Sequence, residues 1–579
     1  MTANQPLDDA IIIGIDFGTT FSGVAWAYSR EPEEIELVTS WDSELNHCSD
    51  IEKAPTQLHY GNDEEAISWG YSIPPDKEAL KWFKLLLLDT KDLPDGVSDA
   101  TQIQEAQRLQ KSINKDPVEI IGCFLRKMWN HSVDSIERAV GAELLRKSKF
   151  HVVITMPAIW PHYAQKRMKQ AAKISGILDA RSGGETTLRF ISEPEAAVLA
   201  TIKDLSKRST IKASLILPFP EDLISYVIES TEPLFGVKEC VKGDGDLCGG
   251  VFLDENFIKL IKNRVSPASW NSVSKAEKKK FLNDGWEHGI KPQFENQQKA
   301  WPIDLPNSCN SKSSKGLKRR TTLELNSIEI LAVFSPIVKK IENLVRRQVD
   351  AIQEKYKAPP KYIILVGGFG RSRYLFNRLQ QTFNTTVLQS RGNKPWTAIC
   401  RGAVVQGLAS RYLAPGLGVN ITARMARMSY GVRFQTVFDP KLHQLCDKEW
   451  CEKQQEFMAR NQMDWFLKEG DDMITKSPVQ KEYTMLFSHP PAEIANDIYC
   501  SSTFPPPLRG DDTVQRLCQI KWNRNVSFES LPTYTNPIGK VFHRLNHAVE
   551  MTCEDGTADF TVYYNGARVG ARNVEVDFD

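Results

Sequence analysis

The sequence predicts an α/β protein that ends in a separate β-rich region. Three observations carry this. A β-branched run, Ile11, Ile12, Ile13 and Ile15, opens the stretch IIIGIDFGTTFSGVAWAY over residues 11–28 and suits a buried strand that turns and returns. From there to about residue 411, apolar strand-like segments alternate with amphipathic helical ones. After about Ala414 helical periodicity fades, prolines cluster at 505–507, and segments such as DFTVYY (559–564) and RNVEVDF (572–578) alternate as strands do.

The first turn is the richest in chemistry. Gly18 lets the chain bend where a Cβ would obstruct it, and Thr19 and Thr20 supply hydroxyls and backbone N–H groups. Such a tip can surround phosphate oxygens with donors while Asp16 faces a hydrated magnesium ion; an ordinary hairpin turn is the plain alternative. Lys84, in KWFKLLLL, sits on an apolar helix or strand, where a lysine either reaches a γ-phosphate or snorkels at the surface. FHVVITMP (150–157) reads as a strand ended by proline. A helix follows over 164–177, with Met168, Ala171, Ala172 and Ile174 at helical spacing. Glu193, in FISEPEAA, closes a strand, and Pro194 opens a helix; a carboxylate there can orient water or a magnesium shell, or simply begin the helix.

Gly249 and Gly250, in DLCGGVFLDENF, allow close backbone approach ahead of a helix, with Asp254 near its start. Residues 307–320, NSCNSKSSKGLKRR, are Ser/Lys-rich and read as a surface insertion. A long helix spans about 327–355, its stripe formed by Ile330, Phe334, Ile337, Ile341, Leu344 and Val345, and Pro359-Pro360 bars its continuation. YIILV (362–366) is a core strand feeding Gly367-Gly368-Phe369-Gly370-Arg371, a glycine turn able to accept adenosine, with the Arg371 guanidinium stacked on the base. In the last 168 residues a β-rich domain with some helix around 447–468 is expected.

Composition narrows the classes. At 579 residues the chain suits several domains, and 41% hydrophobic with 25% charged residues is a globular profile. A formal net charge of +1, from 73 basic and 72 acidic residues, gives no field favouring nucleic acid or anionic membrane. Neither a signal peptide nor a spanning segment is expected, since Asp8 and Asp9 precede a short apolar run and nothing apolar reaches the roughly 20 residues a bilayer needs. Eleven scattered cysteines, of which Cys446 and Cys451 are the nearest pair, fit reduced thiols in the cytoplasm better than a zinc site.

In order along the chain, these segments, with RGAVVQGL (401–408), resemble the seventy-kilodalton, DnaK-type heat-shock family of the actin-like ATPase superfamily, in a divergent form common in filamentous fungi. The resemblance covers about residues 11–411. It implies a two-lobed actin-like ATPase domain with ribonuclease H-like halves over 8–411. Lobe I would run over about 8–205 and lobe II over about 206–395, with a C-terminal domain over 412–579 in place of the peptide-binding unit. By position, Asp16, Gly18, Thr19 and Thr20 match the first phosphate motif, Lys84 the catalytic lysine, and Glu193 the carboxylate that handles magnesium and water. Gly367, Gly368 and Arg371 match the adenosine motif. The implied cofactors are ATP and magnesium, the latter held through water by Asp16 and Glu193. The implied partners are protein clients and co-chaperones of a stress-response chaperone, without nucleic acid or membrane.

One departure bears on activity. The second phosphate loop of that family is an aspartate, a glycine run and a second aspartate; here the stretch is LILPFPED, residues 215–222. Asp222 remains, Leu215 replaces the first aspartate, and Leu217, Pro218 and Phe219 fill the glycine positions. Proline removes an N–H donor and phenylalanine fills space that phosphates need. The loss corresponds to several kcal/mol of transition-state stabilisation, or over about a hundredfold in rate. Trp396 likewise stands where an aspartate is usual. Three readings follow: a pseudo-ATPase serving as an interaction module, a working ATP-driven chaperone with a rearranged loop, or a mis-spliced LILPFP. A protein kinase is excluded because Asp16-Phe17-Gly18 leaves no room for a preceding lobe, and a P-loop NTPase because its motif is missing. A sugar kinase fits FISEPEAA poorly, and a structural protein without ligand is the different-class alternative.

Overall fold

A computed structural model describes the chain except residues 1–8, 44–50, 62–66, 94–99, 159, 207–214, 219–221, 231–234, 246–247, 307–308, 310–321, 391, 410–418, 475–477, 523–525, 555–556 and 574–579. It forms two compact units, Met1–Val237 with Gly243–Asn420, and Lys238–Lys242 with Ile421–Asp579.

The first unit is built on two sheets. Strand β1, Ala10–Asp16, is buried along its whole length, as its isoleucine run requires. It pairs antiparallel with β2, Phe21–Tyr28, so that Asp16 lies opposite Gly23. Two short strands, β3 (Glu36–Leu37) and β4 (Lys53–Pro55), pair with β2, the latter setting Lys53 opposite Gly23. On the other side β5, Lys149–Met156, runs parallel to β1, and β6, Thr187–Ser192, runs parallel to β5. The order is β3-β2-β1-β5-β6, with β4 beside β2.

The second sheet repeats this plan. Strand β7, Leu215–Pro218, pairs antiparallel with β8, Asp222–Ser230, and β9, Phe235–Gly245, follows beyond β8. The central residues of β9, Lys238–Lys242, group with the second unit. Parallel to β7 runs β10, Tyr362–Leu365, and then β11, Thr386–Gln389. In each sheet an antiparallel pair has a further strand on one side and two parallel strands on the other, a duplication that spacing in the sequence does not reveal. The aberrant LILP segment is a central strand of this sheet, with Ile216 opposite Tyr362 and Pro218 opposite Ile364. Residues 219–221 therefore link β7 to β8 at the topological position where Phe17–Thr20 link β1 to β2.

Helices cover these sheets. Helix α1, Pro117–Val140, begins with Pro117 at its first position and an Asp116 cap that accepts from the Val118 N–H at 2.7 Å. Helices α2 (His162–Ile174), α3 (Glu193–Ser206) and α4 (Gly250–Val265) follow. Helix α5, Ser327–Tyr356, carries the apolar stripe its spacing predicts and starts with a capping box between Asn326 and Glu329. Helix α6, Lys394–Ala409, lies against β1 and α3 at glycine-to-backbone distances. A Cβ on Gly402 would fall 1.6 Å from the Ala196 carbonyl oxygen, and one on Gly14 would fall 2.3 Å from that of Cys400.

The second unit is antiparallel β throughout its described length, apart from short 3₁₀ turns. One five-stranded sheet comprises β12 (Ser429–Val437), β13 (Lys448–Cys451), β14 (Glu456–Leu467), β15 (Ala495–Ser501) and β16 (Gln515–Lys521), in the order β13-β14-β12-β15-β16. The other contains Val479–Phe487, Thr533–Thr535, Val541–Glu554, Thr557–Tyr564 and Ala567–Asn573. Ile498, Ile520, Leu545, Val549, Phe560 and Val562 share one core between them. The helix expected around 447–468 is not there; β13 and β14 occupy that stretch. Residues such as Met458, Ala459 and Met463 favour a helix in isolation, but β14 is bracketed by β12 and β13, and pairing on both sides overrides local propensity.

The DFTVYY expectation coincides with Thr557–Tyr564, whereas most of RNVEVDF lies outside the described residues. So does the 307–320 insertion apart from Cys309, which is buried. Ten cysteines are described, and no disulfide joins any of them. Among the described residues no helix is long and apolar enough to cross a membrane.

Candidate functional site

The turn after β1 needs its glycine. A Cβ on Gly18 would sit 2.2 Å from the Phe21 carbonyl oxygen, so the chain can fold back into β2 only without one. Thr19 and Thr20 stand half-buried at the tip, and the Thr20 carbonyl accepts from the Thr56 N–H at 2.8 Å.

Lys84 is not a snorkelling surface residue. It lies on a 3₁₀ turn, Phe83–Leu87, entered through Trp82 at φ 61°, and is only 2% exposed. Its ammonium donates to Glu193 Oε1 at 2.5 Å, joining residues 109 apart in sequence. The same ammonium stands 5.8 Å from the Phe17 ring and 5.3 Å from the Trp160 ring, which fixes it beside the DFGTT turn. Glu193 is the first residue of α3, directly after β6, so the strand end aims its carboxylate at this point.

Asp16 is 1% exposed, and a residue that sequence reasoning missed compensates its charge. Lys53, from β4, donates to Asp16 Oδ2 at 2.5 Å. Its stem passes over Gly23, where a Cβ would come within 2.8 Å of Lys53 Cγ. The ammonium lies 4.6 Å from the centre of the Trp396 indole. Where a magnesium shell is expected, Asp16 and Glu193 therefore each hold an ammonium. Among the described residues no group of three or more His, Cys, Asp or Glu is placed to hold a metal ion.

Trp396, in the first turn of α6, links this corner to the adenosine turn. Its ring meets Phe21 edge-on at 5.3 Å, and a Cβ on Gly368 would fall 2.6 Å from the indole. The adjacent Gly367, at φ 78°, donates its N–H to the Pro395 carbonyl at 2.8 Å. Arg371 is exposed. On the other side, Gly249 caps α4, and a Cβ on Gly250 would meet Lys291 Nζ at 3.5 Å and the Phe369 Cβ at 3.9 Å. Lys291, also missed, donates to Asp254 Oδ1 at 2.8 Å and Glu287 Oε2 at 2.7 Å, while Trp286 donates to Asp254 as well. Burial opposes the charge on Lys291, but those two carboxylates keep it protonated above the ordinary lysine range.

The structure thus joins Asp16, Gly18, Lys84, Glu193 and Gly368 through one run of contacts, and Gly250 to the residue after Gly368. Asp222 begins β8, and its side chain lies outside the described residues. Lys53 and Lys291 have no local signature: each owes its place to pairing or packing with distant residues. Trp396 was visible only as a departure from a familiar pattern.

Similarity to known proteins extends over most of the chain. Residues 424–549 match a family model described as "Domain of unknown function (DUF8568)". The chain is 24% identical over 540 residues to heat shock 70 kDa protein 12B of Homo sapiens, covering 76% of this chain and 74% of that protein. It is 28% identical over 525 residues to heat shock 70 kDa protein 12A of Homo sapiens, covering 73% and 72%. It is 24% identical over 425 residues to a chaperone protein HscA homolog of Haemophilus influenzae, covering 70% of this chain and 58% of that one. Together with the duplicated sheets, these similarities support an actin-like ATPase fold of the heat-shock 70 kind, followed by a β-rich C-terminal region.

Proposed function

We propose that this chain is a heat-shock-chaperone-like protein of the divergent fungal branch that binds ATP between the two sheets of its first unit and, through the C-terminal region, protein clients. The observation that carries the reading is the meeting of Lys84 and Glu193 at 2.5 Å beside the DFGTT turn. In this reading the turn's backbone N–H groups and threonine hydroxyls hold phosphate oxygens, and the glycines at 249–250 and 367–368 admit the nucleoside. Glu193 orients a water toward the γ-phosphorus by accepting its hydrogen bond. Lys84 offsets the negative charge that spreads over the phosphoryl oxygens as the bond to the leaving diphosphate breaks. Positioning and charge do the chemistry, with no covalent enzyme intermediate. Magnesium would supply further charge neutralisation to a bound triphosphate, but Asp16 and Glu193 are already engaged by Lys53 and Lys84, so this donor set does not fit its shell.

A second reading, a pseudo-ATPase acting as an interaction module, is favoured by β7, which carries Leu215, Leu217 and Pro218 where phosphate-cradling glycines and an aspartate would stand. Calorimetric titration with ATP, run beside Asp16→Ala and Glu193→Ala, together with phosphate-release kinetics, tests the pair. Saturable ATP binding by the wild type, with slow turnover abolished by Glu193→Ala, is the expected result. Binding without turnover selects the pseudo-ATPase, and the absence of any saturable heat in the wild type refutes nucleotide binding.

A further inference from the structure

The Lys53–Asp16 pair is built rather than incidental. Its two side chains are only 6% and 2% exposed. Gly23 clears the path of the lysine stem, and β4 pairs Lys53 directly opposite that glycine. The indole of Trp396 stands 4.6 Å from the ammonium, an electron-rich face that favours a cation. The neighbouring Glu52 accepts from Asn393, just ahead of α6, so both the strand that brings Lys53 and the helix that brings Trp396 are tied together. With Lys84 on Glu193, the corner contains two carboxylates and two ammonium groups. A divalent ion at Asp16 Oδ2 would have to displace a buried, tethered cation, one at the remaining oxygen would meet the repulsion of that neighbouring ammonium, and magnesium also gives up its own waters reluctantly.

From this we infer that Lys53 is a resident cation standing in for the metal, and that this chain binds nucleoside di- and triphosphates without a divalent ion. The inference rests on the nucleotide reading above and deepens it: the ligand is the metal-free nucleotide anion. A lysine is a point charge on a flexible stem and suits phosphate oxygens as well as carboxylates, so Lys53 can neutralise Asp16 while adding positive potential at the turn. Trp396, at a position where an aspartate is usual, presents its ring to the ammonium instead.

The test is calorimetric titration of the full chain with ATP and with ADP, once in excess EDTA and once in millimolar magnesium. The expected dissociation constants agree within about threefold between the two conditions. Lys53→Met should weaken binding in EDTA by more than about tenfold, with magnesium restoring a part, because Asp16 is then free to engage it. Lys53→Arg, which keeps the charge, should remain metal-independent, and circular dichroism confirms that each variant is folded. If Lys53→Met does not fold, the wild-type pair of titrations and Lys53→Arg decide the matter alone. Wild-type binding that requires magnesium overturns this inference and leaves the nucleotide reading standing. Absence of binding in both conditions overturns the nucleotide reading, and this inference with it.

Discussion

Replacing Gly402 by alanine should damage the first unit more than any other single methyl group. The added carbon would lie 1.6 Å from the Ala196 oxygen, 2.3 Å from its carbonyl carbon and 2.9 Å from its Cα. All three are backbone atoms of α3, so no rotamer change relieves them. Carbon contacts settle near about 3.5 Å, so α3 and α6 must part by roughly 2 Å. Glu193 lies less than one turn before Ala196, and such a shift carries its carboxylate out of reach of Lys84, now 2.5 Å away. Overpacking alone costs about 1–3 kcal/mol, and loss of a buried ion pair raises the total to about 3–5 kcal/mol. Urea unfolding followed by amide exchange in α3 and α6 measures this. Gly407→Ala is the internal control, because there the obstruction is the Ile12 side chain at 2.5 Å, which can turn aside, and the expected cost is about 1 kcal/mol. Equal losses for the two substitutions, or a Gly402→Ala protein with wild-type exchange, would refute the argument.

Asp16→Asn should destabilise by about 3–5 kcal/mol, since it leaves the Lys53 ammonium buried and unpaired, and adding Lys53→Met should recover much of the loss; a double-mutant cycle by denaturant titration reads the coupling. Asn326→Ala should cost about 1 kcal/mol by removing the cap whose side chain accepts from the Glu329 N–H at 3.0 Å, visible as a lower urea midpoint. Burial holds the His547 imidazole down at about 4, against an ordinary 6.5. As pH falls below that ordinary value the unfolded chain takes up a proton that the folded chain refuses, so stability is full above it and drains away toward pH 4 by about 3 kcal/mol in all. Amide exchange across Val541–Glu554 should show this slope, and His547→Gln should flatten it. Changing Leu215 to aspartate and Leu217, Pro218 and Phe219 to glycine should raise phosphate release from ATP by about a hundredfold; no gain would mean that this loop is not what limits turnover.

What the sequence discloses follows from how local each feature is. The β1–β2 hairpin, the strand before Glu193 and the glycine turn after YIILV are short motifs whose neighbours in space are neighbours in sequence, so their positions could be read directly. Lys84 was recognisable by the apolar segment around it, although its burial could not be known before Phe17, Trp160 and Glu193 closed over it. Lys53 is different in kind. Its role depends on a three-residue match between β2 and β4 and on a glycine thirty positions away, and nothing near it in the chain announces either. The misread stretch at 447–468 has the same cause seen from the other side. Its residues favour a helix locally, and only the flanking strands of the sheet impose an extended chain.

Helix α6 has a mechanical consequence. Most of its length is clamped to the first sheet by glycines that allow no slack, whereas its opening turn touches the second sheet's glycine loop through the Pro395 carbonyl and the face of Trp396. A swing of one half of the unit against the other therefore works against that opening turn and against the edge-on contact of Trp82 with Phe252, as a door works against its pins.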